Sequence, residues 1–175
     1  MSVKNNLTAN VFKIETFGAV DGPGLRLVIF MQGCDFRCKY CHNPESWSKK
    51  SYIAKQMSIN DILALYKRNK PFYITGGITL SGGEPLVQPE FVLEFAKTCK
   101  RRKIHLTIDT SACNFIKNKK VYKELIKYVD LWMVDIKGLN PKDHKFITGY
   151  SELTGIKFIE FLEKNKKEYW VRYVL

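Results

Sequence analysis

Hydrophobic residues follow two rhythms along this chain. Residues 25–31 read Leu-Arg-Leu-Val-Ile-Phe-Met, an almost unbroken apolar run of the kind carried by a strand covered on both faces. A second run lies within 72–80, interrupted by Gly76-Gly77, and 104–108, 131–134 and 169–174 supply three more. Between them the period changes to that of a helix. Ser58 stands in a capping position before Ile59, Ile62, Leu63 and Tyr66, and that helix ends ahead of Pro71. Gln88-Pro89-Glu90 opens another, with Val92, Phe95, Ala96 and Cys99 on one stripe. Tyr122, Leu125, Ile126 and Val129 mark a third, and Phe158, Phe161 and Leu162 a fourth. Strands alternating with helices predict βα units on a parallel sheet, either open or curved into a barrel. The fifth run extends to the chain end at Leu175 with no helix after it to cover its edge.

Composition narrows the class. The chain has 175 residues, 45% hydrophobic and 26% charged, which suits one domain with its own core and excludes a disordered polymer. No apolar run is long enough for a membrane span, and the first ten residues are polar, so the reading is a cytoplasmic protein without anchor or signal peptide. The net charge is +12, yet the basic runs at 100–103, 117–120 and 164–167 are short and are not interleaved with stacking aromatics. They read as solvated surface or as a face for an acidic protein partner rather than a nucleic-acid groove. Five cysteines, an odd number without a secretion signal, point to thiol chemistry rather than a disulfide framework.

Three of those thiols are concentrated in Cys34-Asp35-Phe36-Arg37-Cys38-Lys39-Tyr40-Cys41-His42, directly after the first strand. Cys38 to His42 matches a c-type haem attachment pattern, but that leaves Cys34 idle and needs an export route. Three cysteines with His42 suit zinc. An iron–sulfur cluster also fits: four irons take four ligands as a rule, and three leave one iron open to a substrate or cofactor. Cys99 lies on the inner stripe of a helix and reads as core; Cys113 has no partner at a ligand spacing.

The cysteine spacing, with Tyr40 before the last thiol, resembles the signature of radical S-adenosylmethionine enzymes. Gly18-Ala19-Val20-Asp21-Gly22-Pro23-Gly24-Leu25-Arg26 before it, Asn43-Pro44 after it and Ser81-Gly82-Gly83-Glu84-Pro85 beyond the second strand narrow the resemblance to the pyruvate formate-lyase activating enzyme family. It runs from about Phe17 to the end of the chain. The resemblance implies an α/β fold, a partial (β/α)6-type parallel barrel that stops at the fifth strand, in a single core domain over residues 1–175 truncated at its C-terminus. It implies a [4Fe-4S] cluster on Cys34, Cys38 and Cys41, whose open iron is chelated by S-adenosylmethionine. Reductive cleavage of that molecule then allows abstraction of a glycine Cα hydrogen, which leaves a glycyl radical on pyruvate formate-lyase. By the same resemblance Gly82, Gly83 and Glu84 cradle the methionine ammonium and Lys137 pairs with its carboxylate. Tyr40 and His42 lie near the adenine, Asp21 helps to position the substrate glycine loop, and Asp109, Thr110, Met133 and Asp135 form a monovalent cation site. Partners are pyruvate formate-lyase and a flavodoxin- or ferredoxin-type electron donor. Residues 47–57 hold no cysteine-rich insertion, which favours this branch over other activases; the activase of anaerobic ribonucleotide reductase is the nearer alternative. From a different class stands a zinc-binding basic module that contacts nucleic acid.

Overall fold

The computed structural model describes residues 7–174, so Leu175, where the last strand was expected to end, lies outside the described residues, as do the first six positions. Its strands are β1 (Thr8–Gly18), β2 (Arg26–Met31), β3 (Lys55–Ser58), β4 (Gly77–Gly82), β5 (Leu106–Thr110), β6 (Leu131–Ile136) and β7 (Tyr169–Tyr173). The helices are α1 (Ile59–Asn69), α2 (Pro89–Arg101), α3 (Lys119–Leu125), α4 (Pro141–Thr148) and α5 (Thr154–Lys164). Among the described residues the strands form one sheet in the order β3-β1-β2-β4-β5-β6-β7. The run from β2 to β7 is parallel throughout, as the strand–helix alternation predicts.

The antiparallel β1 and β3 were not foreseen. β1 carries Lys13, Glu15 and Thr16 among its apolar positions and is mostly half-exposed, so it lacks the continuous apolar run that marks a buried strand. β3 has four residues, none fully buried. β4 starts at Gly77 rather than in the Phe72 region, which forms a 3-10 turn. A Cβ on Gly76 would strike the Leu25 carbonyl and one on Gly77 the His105 carbonyl, so the glycines let neighbouring backbone close in where β4 begins.

The two faces of the parallel strands differ. Leu27, Ile29, Leu80, Ile108, Trp132 and Val134 are buried in the core shared with the helices. There α2 inserts Val92, Phe95, Ala96 and Cys99, as its stripe predicts, and Phe158 of α5 meets Trp132 edge-on at 4.9 Å. Each such side chain stabilises the fold by about 1.5–3 kcal/mol. The opposite face carries Arg26, Thr79, Ser81, Thr107, Asp109 and Asp135.

Arg26 closes the floor of that face. Completely buried, it donates from Nε to Thr79 Oγ1 (2.6 Å), from Nη1 to the Pro23 carbonyl (2.7 Å), and from Nη2 to the Ile78 carbonyl (2.9 Å) and Thr107 Oγ1 (2.8 Å). Thr79 Oγ1 in turn donates to the Asp21 carbonyl (2.7 Å), so one guanidinium ties the Asp21-Gly22-Pro23-Gly24 turn to β4 and β5.

Helix α4 was also missed. Asn140 caps it by accepting from the Asp143 amide (2.9 Å), Pro141 opens it, and Gly149 closes it at a left-handed φ of 88°. Its buried residues are only His144 and Thr148, too few to give an apolar stripe.

Candidate active site

The cysteine loop leaves β2 through Gly33, whose left-handed φ of 102° suits glycine. The Gly33 and Cys34 amides donate to the Ser46 (2.7 Å) and Trp47 (3.1 Å) carbonyls, which folds the loop back on itself. Its other side is clamped by α4: the Arg37 amide donates to the Thr148 carbonyl and the Lys39 amide to the Ile147 carbonyl, each at 3.1 Å. These are carbonyls of the last helical turn, which otherwise lack partners. Phe36, buried, packs edge-on against His144 (5.3 Å), and Arg37 Nη1 donates to the Cys34 and Phe36 carbonyls at 2.7 Å. The backbone that carries the three thiols is therefore fixed by the fold itself.

Cys34, Cys38 and Cys41 stand on the wall of a cavity of about 380 Å3 on the face of the sheet that carries Asp109 and Asp135. Burial pushes the Cys38 thiol up to about 11 against the pull of Lys137. Among the described residues no three Cys, His, Asp or Glu side chains converge tightly enough to hold a single metal ion. Gly82 and Gly83 line the same cavity. A Cβ on Gly82 would strike the Met31 amide and one on Gly83 the Gly33 carbonyl, so larger residues here would push the β4 loop off the cysteine loop.

Glu84 behaves differently from its expected role. It is fully buried and does not reach the cavity wall; its carboxylate accepts from Thr110 Oγ1 (2.7 Å), the Ser111 amide (3.0 Å), Ser111 Oγ (2.8 Å) and the Leu86 amide (3.2 Å). The side chain locks the β4 loop to the end of β5, and any contact with a ligand from this segment falls to the glycine backbone. Thr110 spends its hydroxyl on Glu84, and of the four expected cation ligands only Asp109 and Asp135 border the cavity.

The remaining charged groups converge. Lys137 Nζ meets Asp135 Oδ2 at 2.8 Å and lies over the Tyr40 ring at 5.5 Å. Burial works against its charge, but Asp135 more than offsets this and holds the ammonium above its usual range. Arg172 of β7 bonds Asp109 Oδ2 (2.8 Å) and approaches Asp135 Oδ1 (3.8 Å), while Ser81 Oγ donates to the same Asp109 oxygen (2.7 Å). Asp109 Oδ1 is buried with no partner. Asp21, Tyr40 and His42 complete the wall, and burial raises the Asp21 carboxyl while Arg172 and Arg26 draw it down.

Burial, reinforced by Asp135, pushes the Asp109 carboxyl up to about 7. An unfolded aspartate releases its proton near pH ~4, so this group favours folding at low pH and the contribution is lost as pH rises from there through about 7. Asp109→Asn removes the slope. Its melting temperature should therefore gain on that of the parent as pH rises from about 5 to about 8; a constant difference across that range would refute the assignment.

Every expected residue except Glu84, Thr110 and Met133 lines one cavity. Arg172, Ser81 and Ser111 line it too and were missed. Arg172 did leave a signal, as the one basic residue inside an aromatic and apolar strand, and the parallel register sets it opposite Asp135. Cys113, which showed no ligand spacing, has a free thiol beside the free thiol of Cys34, a neighbour that lowers the Cys34 pKa and raises its own.

A family model described as a 4Fe-4S single cluster domain matches residues 20–149, most of the chain, and defines the class: a protein built around one iron–sulfur cluster. The fold agrees. The Streptococcus suis protein SuiB, solved bound to its precursor peptide SuiA, superimposes with a TM-score of 0.65 at 23% identity over 90% of this chain and 33% of its own. QueE from Escherichia coli gives 0.55 at 14% identity over 98% of this chain and 99% of its own. Closer in sequence is the pyruvate formate-lyase-activating enzyme of Streptococcus mutans, 42% identical over 97% of this chain and 66% of that protein. The Clostridium pasteurianum enzyme of the same name is 38% identical over 94% and 68%, and the pyruvate formate-lyase 1-activating enzyme of Escherichia coli K12 is 34% identical over 97% and 69%. The chain belongs to the pyruvate formate-lyase-activating enzyme family, and spans about two thirds of the length of these relatives.

Proposed function

We propose that this chain is the catalytic core of an activase that installs a glycyl radical on pyruvate formate-lyase. The observation that carries this reading is the sharing of one cavity by three clamped cysteines, Gly82 and Gly83, and Lys137. Cys34, Cys38 and Cys41 would hold the [4Fe-4S] cluster; three thiolates suit that group because a fourth position must stay open for S-adenosylmethionine. Cluster and S-adenosylmethionine together supply the one-electron chemistry that removes the glycine hydrogen, and the protein supplies placement. Gly82 and Gly83 offer close backbone, and Lys137 offers a point charge for a carboxylate. Asp21, tethered through its own carbonyl to Thr79 and through the turn to Arg26, borders the space into which a substrate loop must enter. The monovalent cation fits in part, since Asp109 Oδ1 is a buried acceptor without a partner and Asp135 shares the cavity wall. Among the described residues no helix is long and apolar enough to cross a membrane. The proposed setting is the cytoplasm, beside an electron-carrier protein.

The test is anaerobic reconstitution, chemical reduction and mixing with S-adenosylmethionine and pyruvate formate-lyase. Electron resonance should record a glycyl radical; its absence in the presence of an intact cluster would refute the substrate assignment, and its appearance only with anaerobic ribonucleotide reductase would transfer the function there. Lys137→Met should weaken S-adenosylmethionine binding by about 10- to 100-fold, the worth of a hydrogen bond between charged groups. Equilibrium binding to the reconstituted protein reads this directly, and an unchanged affinity would remove Lys137 from the site.

A further inference from the structure

The cysteine loop has two sides. The inner side faces the cavity, which the proposed S-adenosylmethionine and substrate loop would fill. The outer side is clamped by α4, which carries an exposed surface of its own. Leu139 (69% exposed), Phe146 (68%) and Tyr150 (47%) are its exposed apolar residues, just before, on and just after α4. Lys39, between two of the cysteines, places its ammonium 3.2 Å from the centre of the Phe146 ring. Lys142, Lys145 and Phe146 share one face of α4 by their three- and four-residue spacing, opposite the buried His144 and Thr148. Among the described residues Lys39, Lys142 and Lys145 enter no salt bridge. The one neighbouring acid on α4, Asp143, is engaged by Asn140 at the helix cap (2.6 Å). None of these side chains borders the cavity.

We propose that this surface, the outer face of the cysteine loop and α4, is where an acidic one-electron carrier protein docks to reduce the cluster. The inference rests on the cluster assignment above. Exposed apolar residues set among lysines without internal counter-ions are complementary to an acidic partner with an exposed apolar rim, and such charge patterns act mainly on the encounter rate. The location supplies the second argument. The Arg37 and Lys39 amides bond the Thr148 and Ile147 carbonyls, so the exposed helix end connects by single hydrogen bonds to the backbone between the cluster ligands. In the step itself one electron leaves the carrier and enters the cluster; no bond forms or breaks. Docking from outside also leaves the cavity mouth free for the protein substrate.

The test compares reconstituted parent with the double variant Lys142→Glu, Lys145→Glu and with Phe146→Ser. Reduced flavodoxin serves as the acidic probe and dithionite as a small reductant, and the loss of cluster absorbance is followed. With flavodoxin at low salt the double variant should be reduced about tenfold more slowly or worse, and the parent rate, unlike that of the variant, should fall as salt is added. With dithionite all three proteins should react alike. Binding of flavodoxin to cluster-free protein should weaken in parallel. Equal flavodoxin rates and equal binding in parent and double variant would overturn the docking site, as would an equal loss with dithionite. Failure of the parent to take up a cluster would instead strike the reading on which the inference rests, while binding to the cluster-free protein still judges the surface.

Discussion

Alanine in place of Cys34, Cys38 or Cys41 is expected to reduce the iron of the anaerobically reconstituted protein from about four per chain to a small fraction, and radical formation to background. Cys99→Ala should change neither. The contrast follows from placement. The three loop thiols share a cavity wall and a backbone held from both sides, whereas Cys99 lies in the core on α2, where burial pushes its thiol up to about 12. Cys113 is the one thiol positioned to compensate, because it lies beside Cys34. Its burial alone still disfavours the thiolate once Cys34 is gone, so Cys34→Ala and Cys34→Ala with Cys113→Ala should lose iron equally. Iron and acid-labile sulfide analysis decides the matter. Full iron retention in any single loop variant would remove that cysteine from the ligand set, and tight zinc uptake without iron would return the site to a zinc centre.

The second large effect concerns Arg26. Arg26→Met should destabilise the protein by about 3–5 kcal/mol, as when one partner of a buried charged network is removed. Five polar groups would lose their partner together: two threonine hydroxyls, two carbonyls and His105 Nδ1, which lies 3.2 Å from Nη2. Since a domain of this size is stable by about 5–15 kcal/mol, a denaturant midpoint will show it readily. Arg26→Lys should recover only part of the loss, because an ammonium cannot reproduce the planar fork. A local reporter accompanies the global one. Burial and the adjacent guanidinium hold the His105 imidazole below its usual range, and in Arg26→Met its titration should move up. A destabilisation under about 1 kcal/mol would show that the network is not what secures the Asp21 turn.

The chemistry of this protein was easier to read than its geometry. The cysteine loop, the Gly82-Gly83 turn, the aspartates at the ends of β5 and β6 and Lys137 are contiguous or fall just past apolar runs, and strand ends are where an α/β fold gathers functional groups. Helices α1 and α2 were visible because an amphipathic period coincides with a start signal, the Ser58 cap for α1 and Pro89 in the first turn for α2. β1 and β3 were not, since a partly exposed antiparallel strand is defined by its ladder partners more than by its own residues. For α4, Asn140-Pro141 and Gly149 marked the two ends, but a helix whose buried residues are a histidine and a threonine has no stripe to detect.

The basic character shows the same division. The lysine runs at 100–103, 117–120 and 164–167 are the most conspicuous charges in the sequence, yet the basic surface beside the cysteine loop is assembled from single residues: Lys39 on the loop, and Lys142 and Lys145 on α4. Glu84 makes the point for a single residue. In the sequence it belongs to a glycine-rich ligand motif; in the fold its carboxylate is consumed by Thr110, Ser111 and Leu86, and it becomes the brace that holds that motif to β5.

By itself the sequence determined the βα order of the parallel strands and the identity of the reactive groups, because hydrophobic period and short motifs are local and are written along the chain. Only the tertiary structure decided which side chains face the cavity, that Arg172 meets Asp109, that Arg26 holds the Asp21 turn, and that α4 clamps the cysteine loop. Those are contacts between segments distant along the chain, set by strand register and by buried polar groups that must find partners, and neither requirement leaves a local mark.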